Sequence, residues 1–187
     1  MVSGLARMIT TKILPVSDRN LILTGYTGPY QPLIGRRIAQ LLKMPYVNIE
    51  WQIEERAGIP MDEIRVRYGE SRLKMLENEV VQEAVLHRNA VIRISGQVLR
   101  HSQHYERFLE TGPVICLVAT LDSVLQSLHL SLGARYHNPA ERGMALAHLQ
   151  REWSARHLPG ILEIDTTYMK EDEIVERVIQ EWQAVVV

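Results

Sequence analysis

The chain has almost no cysteine: Cys116 stands alone among 187 residues. A single cysteine makes no internal disulfide and no zinc cage, so an apolar core must hold the fold and a reducing compartment is expected. An excess of charge of either sign is missing too. The formal net charge is −1, and neither nucleic acid nor a membrane surface is an expected partner, because each needs a concentrated basic face. No apolar run approaches the roughly 20 residues of a spanning helix. Met1 to Thr10 hold one arginine and only short apolar stretches, which is not a signal-peptide pattern. The expected location is therefore the cytoplasm. The histidines show no His-x-x-x-His or Cys–His spacing, so no metal site is expected. The Gly-x-Ser-x-Gly of a serine nucleophile is absent, which leaves Ser95 without a partner pattern. With no repeat, no low-complexity stretch and no dividing linker, the length points to one domain.

What is present is an ordinary core-forming balance, 46% apolar and 23% charged. Residues 1–19 carry no clear period and read as an N-terminal arm; residues 20–187 read as the domain. Asn20 to Gly25 is a short apolar run ending in glycine, the pattern of a strand buried on both faces. Further strands are expected at Pro45 to Ile49, Ala90 to Ile94, Pro113 to Ala119 and Gly160 to Asp165. After the first strand and a Gly/Pro loop, Ile34, Ile38, Leu41 and Leu42 predict one apolar face of a helix. Helices are also expected over Trp51 to Ala57, Met61 to Tyr68, Glu70 to His87, His101 to Leu109, Leu121 to Leu130, Pro139 to Arg156 and Glu171 to Ala184. The last opens on Glu171, Asp172 and Glu173, which complement the helix dipole. Strands alternating with helices imply an α/β fold with a parallel sheet covered on both sides. Trp51, Trp153 and Trp182 fit helix faces, and mid-strand Cys116 is expected to be buried and inert.

In open parallel sheets ligands sit beyond the carboxyl ends of the strands. Those positions hold Gly25-Tyr26-Thr27-Gly28-Pro29-Tyr30-Gln31-Pro32 after the first strand, Glu50 after the second and Ser95-Gly96-Gln97 after the third. Together with Gly35 to Leu42, Pro45 to Glu50, Ile53 to Gly58, Gly69-Glu70, Glu77, Val80, Val91 to Leu99 and Ile164-Asp165-Thr166, in this order and spacing, the chain resembles the shikimate kinase family from about Asn20 onward. The resemblance implies a three-layer αβα domain with a five-stranded parallel sheet and a mobile lid, of the shikimate kinase and nucleoside monophosphate kinase type. It also implies Mg·ATP as phosphoryl donor and a small hydroxylated acid as acceptor.

The phosphate loop departs from that family. A loop of the form G-x-x-x-x-G-K-[ST] cradles phosphates with backbone N–H groups, a lysine and a metal-binding hydroxyl. Here only the first glycine, Gly25, survives, along with Gly28 inside the loop, while Tyr30 replaces the second glycine, Gln31 the lysine and Pro32 the hydroxyl residue. Tyr30 has a Cβ that obstructs close backbone approach. Gln31 is uncharged, and Pro32 has neither N–H nor hydroxyl, though it suits a first helical turn. Losing a charge-assisted hydrogen bond costs about 1.5–3 kcal/mol and losing a transition-state donor about 2.7–4 kcal/mol. Three such losses in one loop take phosphoryl transfer close to background.

On the substrate side the resemblance places an Asp-x-Asp at Asn48 and Glu50, a carboxylate-binding arginine at Lys74 with Glu77 in its matching place, and a glycine triplet at Ser95-Gly96-Gln97. A lid arginine falls at Arg135. The second substrate arginine falls at Glu152, beside Arg151 and Arg156, and is not assigned. Lysine attracts a carboxylate without the bidentate fork of arginine.

The expectation is a shikimate-kinase-like protein that has lost ATP-dependent phosphoryl transfer. It would act as a small-metabolite-binding or protein-interaction module, with a small anionic metabolite, a protein partner or a second copy of the chain as partner, and with no cofactor. The alternative is an active kinase that phosphorylates a hydroxyl of shikimate or a similar acid through an atypical loop. In that case Mg·ATP is the donor, Glu50 orients or deprotonates the hydroxyl and Lys74 holds the carboxylate.

Overall fold

The computed structural model describes residues 14–25, 31–101, 103–133 and 137–186. Its five strands are β1 (Leu21–Gly25), β2 (Tyr46–Asn48), β3 (Val91–Arg93), β4 (Val114–Val118) and β5 (Leu162–Asp165). They form one parallel sheet in the order β2-β3-β1-β4-β5. The central strands β1, β3 and β4 are buried along their whole length, whereas the edge strand β5 is partly exposed. That is the pattern of a sheet with helices on both faces.

Alternation along the strands sorts the core into two layers. Leu21, Leu23, Val91, Ile115 and Leu117 face α1 (Gln31–Leu42) and α9 (Glu171–Val186), where Ile34, Ile38, Val175, Val178 and Trp182 cover them. Ile22, Ile92 and Val114 face the other way. There they meet residues of α2 (Ile49–Ala57), α3 (Met61–Tyr68), α4 (Glu70–Ala84), α5 (Gly96–Arg100) and α6 (His104–Leu109). A smaller apolar cluster joins Val124 of α7 (Leu121–Leu132) to Leu149 of α8 (Pro139–Trp153). Among the described residues no helix is long and apolar enough to cross a membrane.

Most expected elements are present, with instructive differences. On α1 Leu41 is 60% exposed. The buried face turns instead toward Ala39 and Gly35, where a Cβ would fall 2.8 Å from the Tyr46 ring. The expected helix from Glu70 to His87 ends at Ala84, because the Leu86 and His87 N–H groups bond back only three residues, to Glu83 and Ala84. The helix expected over His101 to Leu109 starts only at His104, as α6, and a further short helix that the sequence did not mark, α5, precedes it and ends at His101 in extended backbone. The helix expected to reach Arg156 ends at Trp153 and tightens into a 3-10 turn over Ser154–His157.

Of the N-terminal arm, residues 1–13 lie outside the described residues. Its end makes a turn at Val16–Asp18, and Arg19 Nη1 donates to the Val185 carbonyl of α9 at 3.3 Å. Asn20, fully buried, then ties three segments together. Its Nδ2 donates to His87 O at 2.8 Å, its Oδ1 accepts from Ala90 N–H at 3.0 Å, and its carbonyl accepts from Trp182 Nε1 at 3.3 Å.

Candidate functional site

The carboxyl ends of β2 and β3 lie side by side, with Asn48 in register with Arg93. Asn48 is the N-cap of α2, its Oδ1 accepting from Trp51 N–H at 3.0 Å, while its Nδ2 reaches Tyr46 Oη at 3.5 Å. Capping of this kind fixes the first turn of a helix, and it engages the amide that the sequence marks as a ligand contact. Glu50 sits in that first turn. Its Oε2 accepts from Arg93 Nη1 at 2.6 Å and its Oε1 from Ser95 N–H at 2.7 Å. Both oxygens of the candidate base are therefore bound within the protein.

Arg93 is the centre of the cluster. It is 7% exposed and reaches a second carboxylate, Glu152 on α8, at 3.4 Å from Nη2. Glu152 Oε2 also accepts from Gly96 N–H at 3.1 Å. Burial works against the Arg93 charge, and the two carboxylates outweigh it, so the guanidinium is held above its ordinary range. Burial pushes Glu152 up to about 7; Arg93 pulls the other way, and Glu50 reinforces the rise. His148, one turn earlier on α8, stands 3.8 Å from Glu152 Oε1, and its own pKa is lowered by burial and by Arg93. The Nε of Arg93 is buried without an acceptor.

Lys74 and Glu77 lie one turn apart on α4, a spacing that puts them on neighbouring faces. Lys74 is half-buried. Glu77 is buried at 5% exposure, and its pKa rises to about 7 through burial first and then through Glu70 and Glu50. The two surviving motif glycines have packing reasons to be glycine. Gly25 has φ +87°, and a Cβ there would lie 2.1 Å from Leu117 O on β4; a Cβ on Gly96 would lie 2.0 Å from Glu152 O. Gly96 opens helix α5, with Ser95 Oγ accepting from Val98 N–H at 3.3 Å as its cap. A strand-end loop expected from the glycine triplet is thus a capped helix start.

Gln31 and Pro32 are the first two residues of α1, which begins one residue before the expected start at Pro32. Gly28, Tyr30 and Arg135 lie outside the described residues. Cys116 is fully buried, and burial pushes its thiol up to about 12, the state of an inert core cysteine. Among the described residues no three His, Cys, Asp or Glu side chains are grouped to hold a metal ion. Sequence reasoning left Arg93 unmarked. Its signal was a single charge inside Val91-Ile92-Arg93-Ile94, a run otherwise wholly apolar, where a charge requires a partner.

A family model for shikimate kinase matches residues 32–183. The shikimate kinase of Thermodesulfovibrio yellowstonii is 26% identical over 168 residues, covering 88% of this chain and 95% of its own. That of Geobacter metallireducens is 27% identical over 164 residues, with 88% and 92% covered. Among solved structures, shikimate kinase from Bacteroides thetaiotaomicron superposes with a TM-score of 0.70 at 20% identity, covering 90% of this chain and 98% of that one. Shikimate kinase from Acinetobacter baumannii, in complex with shikimate, gives a TM-score of 0.71 at 17% identity, with 90% and 94% covered. At that identity the structural matches bear on the fold. The names of the sequence relatives favour kinase activity over its loss.

Proposed function

The chain belongs to the shikimate kinase family, and from that premise we propose that it binds a small polar molecule at the carboxyl ends of β2 and β3 without transferring a phosphoryl group to it. The observation that carries this reading is the Arg93 cluster. Glu50 has both oxygens engaged, by Arg93 Nη1 at 2.6 Å and by Ser95 N–H at 2.7 Å. These two bonds fix the direction of the carboxylate toward Arg93 and Ser95, so to act on a substrate hydroxyl it must share those oxygens or turn away from them. Where the resemblance implies a substrate arginine, Glu152 presents a carboxylate instead.

The residues present do not fit Mg·ATP. Magnesium seeks hard oxygen ligands, but the Asn48 amide caps α2 and Glu50 is paired. At the start of α1 the sequence offers Gln31 and Pro32 in place of a lysine and a hydroxyl. Transfer relies on charge stabilisation at the phosphates, and this loop supplies no cation to provide it.

The second reading is an active kinase for a small hydroxylated acid, and what favours it is the full-length similarity to proteins named shikimate kinase. On that reading Mg·ATP is the donor, Lys74 holds the carboxylate, and Glu50 must leave Arg93 to act on the hydroxyl. Isothermal titration calorimetry with Mg·ATP, alone and with shikimate, separates the two. No heat in either titration, together with no ADP release in a coupled assay, is the expected result. Micromolar binding with turnover that is lost in Glu50→Gln would establish the kinase instead.

A further inference from the structure

Glu152 ties α8 to the end of β3, and it is poorly compensated there. Its side chain is 4% exposed, against 18% for Glu50, and the two carboxylates share one guanidinium unequally. Arg93 Nη1 stands 2.6 Å from Glu50, whereas Nη2 stands 3.4 Å from Glu152, beyond the roughly 2.7–2.9 Å of a charge-assisted hydrogen bond. From α5 Glu152 receives the Gly96 N–H at 3.1 Å. The other groups around it are Glu50 on α2, His148 one turn earlier on α8 at 3.8 Å, and Cys116 on β4. The thiol is neutral, pushed up to about 12 by burial. His148, lowered by burial first and then by Arg93, is neutral above its ordinary 6.5. Arg151, beside Glu152 on α8, is exposed, Arg156 in the following turn is paired with Glu163 at 2.9 Å, and β1 carries no titratable side chain. A carboxylate buried with so little compensation favours water once it is ionised.

The packing of α8 lets that end yield. Leu149 packs with Val124 and Leu128 of α7 in a cluster of their own, apart from the two layers that cover the sheet. Ala155, just beyond α8, is fully buried in the layer that holds Ile22 and Ile92. The end of α8 can therefore part from β3 while keeping its apolar partner α7, and the 3-10 turn at Ser154–His157 is the anchor at which the movement stops. The junction itself is a close backbone contact, since a Cβ on Gly96 would lie 2.0 Å from Glu152 O. A small displacement there breaks the Gly96 bond and wets Glu152 together.

We propose that Glu152 is an alkali-released latch between α8 and the junction of β3 with α5: protonated, it keeps the junction closed, and as a carboxylate it draws the end of α8 outward into water. In the closed arrangement the Glu152 carboxyl stands near 7, and once exposed it returns to its ordinary 4.5. The closed arrangement thus holds a proton that the open one has released, so opening becomes more favourable as pH rises from 4.5 through 7. Between pH 6 and pH 8 those two values give about a tenfold rise in the opening equilibrium. The latch acts whether or not the site holds a ligand.

The test is hydrogen–deuterium exchange on the full chain at pH 6, 7 and 8, with each rate corrected for the pH dependence of intrinsic exchange, since protection reports local opening. Peptides covering α5 and the last turns of α8 should be at least tenfold less protected than those of β1 and β4 at every pH, and should lose about another tenfold between pH 6 and pH 8. In Glu152→Gln the pH-dependent loss should vanish, because the amide does not titrate and its oxygen still accepts the Gly96 N–H. In His148→Gln the loss should persist, which separates the two titrating groups of α8. The unmodified chain and His148→Gln decide the matter should Glu152→Gln fail to fold. Protection at the junction equal to that of β1 and β4, protection that does not change with pH, a loss that survives Glu152→Gln, or one abolished by His148→Gln would each overturn the latch.

Discussion

Replacing Arg93 by methionine removes the one cation shared by Glu50 and Glu152 and keeps much of the stem. The arginine side chain is 8% exposed, that of Glu152 4% and that of Glu50 18%. Breaking a buried pair from one side costs about 3–5 kcal/mol, because the remaining charge is left uncompensated. Two features lower that figure here. Glu50 keeps its Ser95 N–H and some solvent, and Glu152 escapes by taking up a proton. Even beside Arg93 the Glu152 carboxyl stands near 7, against an ordinary 4.5, and without the guanidinium it moves further up. The folded chain then holds a proton that the unfolded chain has released, so stability falls as pH rises from about 4.5 through 7 and beyond. The expected loss is therefore about 2 kcal/mol at pH 6 and about 4 kcal/mol at pH 8. A domain stable by about 5–15 kcal/mol remains folded at either pH. Urea unfolding followed by tryptophan fluorescence at the two pH values measures the difference. A triple variant, Arg93→Met with Glu50→Gln and Glu152→Gln, should recover most of the loss, since replacing all the charges removes the unpaired ones. A loss below about 1 kcal/mol at both pH values, or one that does not change with pH, would refute the reasoning.

Glu77→Gln should stabilise the protein at pH 8 and leave it unchanged at pH 4. The shift from 4.5 to about 7 sets a ceiling near ~3 kcal/mol at about 1.36 kcal/mol per pH unit. Residual solvent around the carboxylate brings the expected gain to ~1–2 kcal/mol; thermal melts at both pH values check it. Gly25→Ala should lose roughly 3–5 kcal/mol, from strain at φ +87° and collision with Leu117 O. Gly58→Ala, at φ +72° with nothing within 4 Å, should lose only ~1–2 kcal/mol, and circular dichroism in urea compares the two. Restoring the loop with Tyr30→Gly, Gln31→Lys and Pro32→Ser should raise Mg·ATP affinity at least tenfold by calorimetry, and no gain would show that the loop is not what limits nucleotide binding.

The sheet was legible because its strands are short apolar runs whose ends are marked by Gly, Pro and Asn, and because the intervening helices repeat at 3.6 residues. Legibility failed where local and tertiary signals part. Helix α5 has only five residues, too short to show a period, and its start is set by the Ser95 cap. Leu41 matched an apolar stripe, but the face is chosen by what it packs on, and Gly35 against the Tyr46 ring turned α1 away from it. At the candidate site, Asn48, Glu50, Lys74, Glu77 and Gly96 were picked out by strand ends and by resemblance. That Glu50 is paired rather than available depended on Arg93, whose partners come from α2 and α8. A charge within an apolar strand announces that it has partners but does not name them.

The glycines sharpen the same point for function. Gly25 and Gly96 are what remains of two ligand motifs, and each is fixed by a backbone carbonyl about 2 Å from where its Cβ would stand, Leu117 O and Glu152 O. Their presence follows from how β4 and α8 pack on them, whether or not a phosphate or a substrate ever arrives. A scaffold whose glycines answer to packing can change its loop chemistry residue by residue without disturbing the sheet. The functional information therefore resides in the loop positions where the sequence departs from the motif, Tyr30, Gln31 and Pro32, and in the charges of Arg93, Glu152 and Glu77, which are buried and so change stability as well as function when altered.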